Sequence, residues 1–265
     1  MTDGPESQRS VSRLASDQSV ESLASQALNL LARKRFAKPR ALSVEYLNRL
    51  KASVVDRDAH KRFHVVAEMR ANGIVLEDIA DHYIPEVARQ LGELWCEDGL
   101  GFADVTIGTA RLQSLLRDIS AEFNYPTDTK NESGIAVVVL SDEYHTLGAM
   151  ILTSQLRRLG VSVRLLLGVS ETDALRELQH DRYDAVMISA SHIEGLDKLA
   201  KFVEKIRKQT RRNTPIVVGG PVLGHSSDVK ALTGADVATS DVHEAIRVCR
   251  LKTFHAGVPA SSKGR

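Results

Sequence analysis

The strongest constraint on this chain lies in its C-terminal half, where short apolar, largely β-branched runs alternate with segments of helical period. The runs fall at 135–140, 161–167, 185–189, 216–218 and 237–238. Between and after them, 146–159, 171–180, 194–209, a stretch near 226–233 and 241–252 carry helical spacing. A strand that is apolar at nearly every position, not at every second one, has to be covered on both faces. Strand–helix alternation supplies that cover as a parallel sheet with helices on each side. The expectation is an α/β domain of five strands over residues 130–253.

The preceding residues, 43–123, read as helical almost throughout. Leu76, Ile79, Ala80, Tyr83, Ile84, Val87, Leu91, Leu94 and Trp95 fall on one stripe at a 3.6-residue period. Pro85 interrupts that stripe and predicts a kink or a break, because proline removes a donor and crowds the preceding turn. A further helix carries Phe102, Val105, Leu112, Leu115, Leu116, Ile119 and Phe123. Together these segments predict a small helical bundle over 20–124. Its first part, 20–36, has the pattern of a short amphipathic helix and runs into a basic stretch, Arg33, Lys34, Arg35, Lys38 and Arg40, expected to be a solvated linker. Residues 1–19, rich in Ser, Gln, Asp and Gly, predict a disordered tail. The polar, proline-bearing run 125–132 predicts a linker.

With 265 residues the chain suits two modest domains. Its net charge of +1 weighs against holding nucleic acid by phosphate neutralisation. Cys96 and Cys249 form no CxxC pair, so neither a zinc site nor a disulfide framework is suggested, and a reducing cytoplasm fits. The polar N-terminus lacks a signal-peptide core, and no apolar run approaches the roughly 20 residues needed to cross a bilayer. A soluble, cytoplasmic protein is expected, with no membrane partner.

In an open α/β sheet, ligands bind beyond the carboxyl ends of the strands, where strand order reverses. For a five-stranded flavodoxin-like (Rossmann-like) order, that point lies between the first and third strands. The loops there read Ser141-Asp142-Glu143-Tyr144-His145-Thr146-Leu147-Gly148 after strand one, Ser189-Ala190-Ser191-His192 after strand three, and Gly219-Gly220-Pro221 after strand four. A dinucleotide site needs GxGxxG after strand one, and here that loop is acidic and carries a histidine. A phosphorylatable receiver needs an aspartate ending strand three and a lysine ending strand five; Ser189 and the run 237–241 supply neither. A flavin site needs a Ser/Thr/Gly-rich phosphate loop at strand one, also missing. No P-loop, nucleophile elbow or Ser-His-Asp order is present, so no enzyme is expected.

The run Glu143-x-His145-x-x-Gly148, with Ser189-x-Ser191 and Gly219-Gly220, resembles the corrinoid-binding pattern DxHxxG…SxL…GG. The resemblance spans 134–252 and extends into the helical half. It implies that cobalamin binds with its benzimidazole displaced, His145 taking the lower axial position on cobalt and the nucleotide tail entering a cleft. Glu143 would fix the histidine's tautomer, since metal-bound imidazoles donate their other ring N–H to such a partner. Gly148 would let the helix start close to the ligand, Ser189 would hydrogen-bond the tail, and Gly219 and Gly220 would leave it room. Glu143 and Ser191 depart from the pattern's aspartate and leucine. The first sets the carboxylate on a longer arm, and the second is expected to alter packing in the tail pocket. His192 and His225 read as loop histidines, with a metal-donor role as the alternative.

The segment 91–99 resembles the bundle that caps the upper corrin face in such proteins. Trp95 is either a bundle-core residue or a corrin cover, and Val105 and Thr106 stand where light-sensing relatives carry a Glu-His pair. With no room for a DNA-reading helix-turn-helix ahead of the bundle, the combination most resembles the AerR/PpaA group of photosynthesis-gene regulators. That implies a light- or redox-responsive antirepressor whose partner is a transcriptional repressor, with direct DNA binding weak or absent. A corrinoid shuttle of a methyltransferase system shares fold and histidine, and haem is the rival cofactor.

Overall fold

The computed structural model describes residues 41–253 apart from 124, 126–132, 181, 211–213 and 227. The expected tail, the 20–36 helix with its basic stretch, and nearly all of the linker lie outside the described residues. From Leu42 onward the described residues form one compact unit.

Helix α1 (Val44–Val55) starts at Ser43, whose hydroxyl accepts from the Tyr46 N–H, and α2 (Ala59–Ala71) starts at Asp58, which accepts from the His60 N–H. The long apolar stripe folds as α3 (Leu76–Asp78), a π-helical turn (Ile79–Tyr83) and α4 (Ile84–Cys96). Of the two expected outcomes, a kink or a break, Pro85 does not bring about the break. In a regular α-helix its ring would press on the Asp81 carbonyl. The wider turn before it, in which the Ile84 N–H donates to Ile79, absorbs that conflict, and helix continues on either side. Helix α5 (Phe102–Ala121) completes the bundle. Its Leu112, Leu115, Leu116 and Ile119 bury against Leu50, Met69, Ile84 and Leu91.

The sheet has five parallel strands in the order β2-β1-β3-β4-β5: β1 (Gly134–Leu140), β2 (Ser162–Val169), β3 (Ala185–Ser189), β4 (Ile216–Gly219) and β5 (Val237–Ala238). This is the expected flavodoxin-like order, with its reversal between β1 and β3. The helices are α6 (Leu147–Arg158), α7 (Glu171–His180), α8 (Leu196–Gln209), α9 (Val229–Thr233) and α10 (Val242–Cys249). The expected helix starts at 146, 194 and 241 shift inward. Thr146 and Asp241 are caps, and 193–195 forms a 3-10 turn ahead of α8.

Strand alternation divides the core in two. Ala136, Val138, Val186, Ile188, Ile216 and Val218 point to α7, α8 and α9, where Phe202 is fully buried. Ile135, Val137, Val139, Met187 and Val217 point to α6 and α10, which offer Ala149 and Ala245. Helix α6 belongs to both assemblies: Leu147 and Ile151 join the bundle core, while Ala149 and Leu156 join the sheet.

Candidate functional site

The chain leaves β1 at Leu140 and reaches α6 through a short loop that carries the histidine. Asp142, at its start, is engaged by Lys198, whose ammonium holds the carboxyl below its ordinary range. Glu143 folds back toward the end of β3. Its Oε1 accepts the His145 backbone N–H at 3.0 Å and the Ser191 hydroxyl, and its Oε2 accepts the Ser191 backbone N–H at 2.7 Å. Burial by itself would push this carboxyl up. Hydrogen bonds from the Ser191 hydroxyl, the two backbone N–H groups and His145 outweigh burial and hold it below its ordinary value. Glu143 is thus an ionised, oriented acceptor at neutral pH.

His145 Nδ1 lies 3.2 Å from Glu143 Oε1 and 3.0 Å from Ser191 Oγ. The single Ser191 hydroxyl proton is already given to Glu143, so both neighbours accept. That network assigns the imidazole proton to Nδ1 and leaves the Nε2 lone pair free for a metal. The Glu143 side chain is 10% exposed and that of His145 57%, a fixed base beneath an accessible ring. The His192 ring stands edge-on to it with centroids 5.7 Å apart, and one donor atom each from Glu143, His145 and His192 lie within 4.8 Å of one another.

The ring opens onto a cavity of about 700 Å³ lined by both halves of the molecule. Val137, Met187 and Val217 form its floor on the sheet, with Ala149 and Leu152 of α6 and Ala245 of α10 as walls. Pro85, Ala88, Gly92, Trp95, Val105 and Thr109 line it from the bundle side. Trp95 resolves the choice left by sequence: it is 49% exposed, tilted against Phe102 at 6.2 Å, and lines the cavity instead of the bundle core.

The expected site residues fall into two groups. Glu143 and His145 meet at the cavity mouth. Gly148, Ser189, Gly219 and Gly220 line it with Trp95. A Cβ on Gly148 would meet nothing within 4 Å, so this glycine, within the first turn of α6, borders open cavity. Gly219 and Gly220 also have a reason within the chain itself. A Cβ on Gly220 (φ +103°) would sit 2.4 Å from the Ala190 carbonyl, and one on Gly219 2.9 Å from that of Thr239. The backbone crossing itself demands both. Ser191 needs correction. It is 4% exposed and, instead of repacking a tail pocket, holds Glu143 and His145 from behind. The two departures from the pattern thus meet each other: the longer carboxylate reaches the extra hydroxyl. Sequence reasoning missed Asp81, Gln155 and the run Thr239-Ser240-Asp241 in the lining. The last follows from the strand-end rule once it is applied to β5 as well.

A half-buried carboxylate orients an accessible imidazole at the switch point of a parallel sheet, under a helical cover, an arrangement able to present one imidazole nitrogen to a metal. A family model described as "B12 binding domain" matches residues 134–247. A protein of Rhodobacter capsulatus, "Uncharacterized 20.5 kDa protein in bchF-crtJ intergenic region", is 36% identical over 176 residues, covering 66% of this chain and 92% of that protein. The fold is shared with the Methanosarcina barkeri monomethylamine corrinoid protein at TM-score 0.61 and 18% identity, covering 77% of this chain and 96% of that chain. The chain belongs to the B12-binding domain family, within it to the AerR/PpaA type, and its cofactor site is of the cobalamin kind. Among the described residues no helix is long and apolar enough to cross a membrane.

The side chains present fit a corrin. His145 offers an imidazole donor, Gly148 borders unfilled space, and the small residues Ala88 and Gly92 leave room for a macrocycle. A corrin supplies cobalt with exchangeable axial coordination. The chain's own part would be to hold one proton on Nδ1 through Glu143 and Ser191, to present Nε2, and to offer the apolar floor of Val137, Met187 and Val217.

Proposed function

We propose that this protein is a cobalamin-binding sensory regulator, not an enzyme, in which the state of the cofactor changes how the helical bundle is presented to a partner repressor. The observation that carries this reading is the bundle lining of the cavity: the His145 imidazole opens into a space bounded by Trp95 and its neighbours. A cofactor held there has part of the bundle as its wall, so a change in its axial ligand bears on that wall. A corrinoid shuttle of a methyltransferase system shares this fold, bundle included, so the choice of the sensor rests on the gene location in the relative's name. Haem is disfavoured by the lining charges. Arg89 is the lining's guanidinium and is held by Glu86 and Glu93, so two propionates would find little free positive charge. The bchF–crtJ location in the relative's name supports a role in photosynthesis-gene control, acting as an antirepressor in the cytoplasm and responding to light or oxygen.

Mixing the protein with hydroxocobalamin and desalting it should leave bound cobalt and a shifted visible spectrum. His145→Ala should abolish the shift and weaken retention by about 100-fold, the upper range for losses at a metal site. A variant spectrum matching wild type removes His145 from the axial role. Recovery of a repressor from lysate that is identical in lit and dark samples counts against light as the signal.

A further inference from the structure

Helix α6 is the one element shared by both cores, and three side-chain contacts fasten it to the bundle along its length. At its start, Gln113 Nε2 donates to Thr146 Oγ1 at 2.9 Å, next to His145. Midway, the Ser120 and Ser154 hydroxyls stand 3.2 Å apart. At its end, Arg158 Nη2 donates to both oxygens of Asp81 at 2.6 and 2.8 Å, its Nε donates to the Ser154 carbonyl at 3.3 Å, and its guanidinium lies 4.6 Å over the Phe123 ring. Asp81 belongs to the π-helical turn and lines the cavity. The pair is largely withdrawn from solvent, the side chains being 15% and 17% exposed. Burial pushes the Asp81 carboxyl up despite Arg158 beside it.

A pair this withdrawn is a poor stabiliser, since desolvation offsets most of its attraction; its strength is in dictating one geometry. Here that geometry is the height of the bundle above the sheet. The planar guanidinium is oriented by its own helix through Nε on the Ser154 carbonyl and by the Phe123 ring beneath it, so Nη2 meets the carboxylate from one direction, and the π turn, which Pro85 calls for, carries that carboxylate. We propose that Asp81 and Arg158 are positioning residues: their ion pair locks the bundle to α6 at one spacing, and that spacing sets how tightly the cavity holds its corrinoid. The inference rests on the cobalamin-binding reading.

The test replaces the pair by apolar residues of similar size, Asp81→Leu with Arg158→Met, and separately makes Arg158→Lys, which keeps the charge and loses the planar group held by the Ser154 carbonyl and the Phe123 ring. Two readouts are taken: the rate at which bound hydroxocobalamin is released on dilution, and iodide quenching of Trp95, the single tryptophan. The expected result is a double variant that melts near the wild-type temperature, yet releases cobalamin about tenfold faster, a scale typical of residues that modulate coupling between sites. Trp95 should also become more accessible to iodide. Arg158→Lys, the safer variant for folding, should fall between. Wild-type release and quenching in both variants would overturn the proposal. If wild-type protein takes up no cobalamin, the functional reading fails. Iodide access in the cofactor-free variants then still decides whether the pair sets the spacing.

Discussion

The two faces of the sheet are built from the same strands and do opposite things. Toward α7, α8 and α9 the strands present valines and isoleucines against Phe202, Leu199, Val203 and Ile206, and the space is closed. Toward α6 and α10 they present an equally apolar set, but the opposing helices answer with Ala149, Ala245 and Gly148, and the space stays open as the floor of the cavity. What separates packing from binding is not the hydrophobicity of the strands but the size of the side chains facing them. Period-two alternation lets one ladder of hydrogen bonds serve both ends, one face stabilising the domain while the other remains free for a ligand.

The comparison can be broken at its strongest point first. Phe202→Ala empties the closed face and should cost about 3–5 kcal/mol in urea unfolding. The protein that remains folded should take up hydroxocobalamin as wild type does. A loss below about 1 kcal/mol would mean that this face is not the close-packed one. Gly148→Leu fills the open face instead. It should leave unfolding free energy unchanged or higher by up to about 1 kcal/mol, because leucine suits a helix better than glycine. Cobalamin retention should fall by about tenfold, the cost of forcing bulk into a filled site. Retained uptake would place the macrocycle elsewhere. The smallest effect is chemical. Cys249, on α10, is buried, and burial with the nearby Asp236 pushes its thiol up to about 11. Iodoacetamide near pH 8 should therefore modify exposed Cys96 and leave Cys249 intact until the chain unfolds. Labelling of both in the folded state would mean that the α10 wall opens readily.

Much of this was legible in the sequence. Strand positions, sheet order and the placing of His145 follow from β-branched runs and from where an α/β sheet leaves its open ends. Other features depended on partners distant in sequence. Ser191 looked like a packing change because its relation to Glu143 spans 48 residues and exists only once β1 and β3 are side by side. Gly219 and Gly220 looked like space for a ligand, and the sequence did not show that the carbonyls of Thr239 and Ala190 crowd them as well. Trp95 sat on an apolar stripe whose period does not show where the bundle ends and the cavity begins. The π turn could not be foreseen either: proline signals a disturbance, and neighbouring helices decide how it is taken up.

The pairing of β1 with β3 across an interval that contains α6, β2 and α7 has a kinetic consequence. A nascent chain closes the neighbouring β1–β2 contact early, but the imidazole gains its hydroxyl partner, 46 residues away, only after a long-range loop closure. A molecule that needs the finished site cannot template the early steps. It can only trap the last one, drawing the population toward the completed form in proportion to its own concentration. Supply of the vitamin would then govern how much of this protein persists in the cell, quite apart from what the loaded form goes on to do.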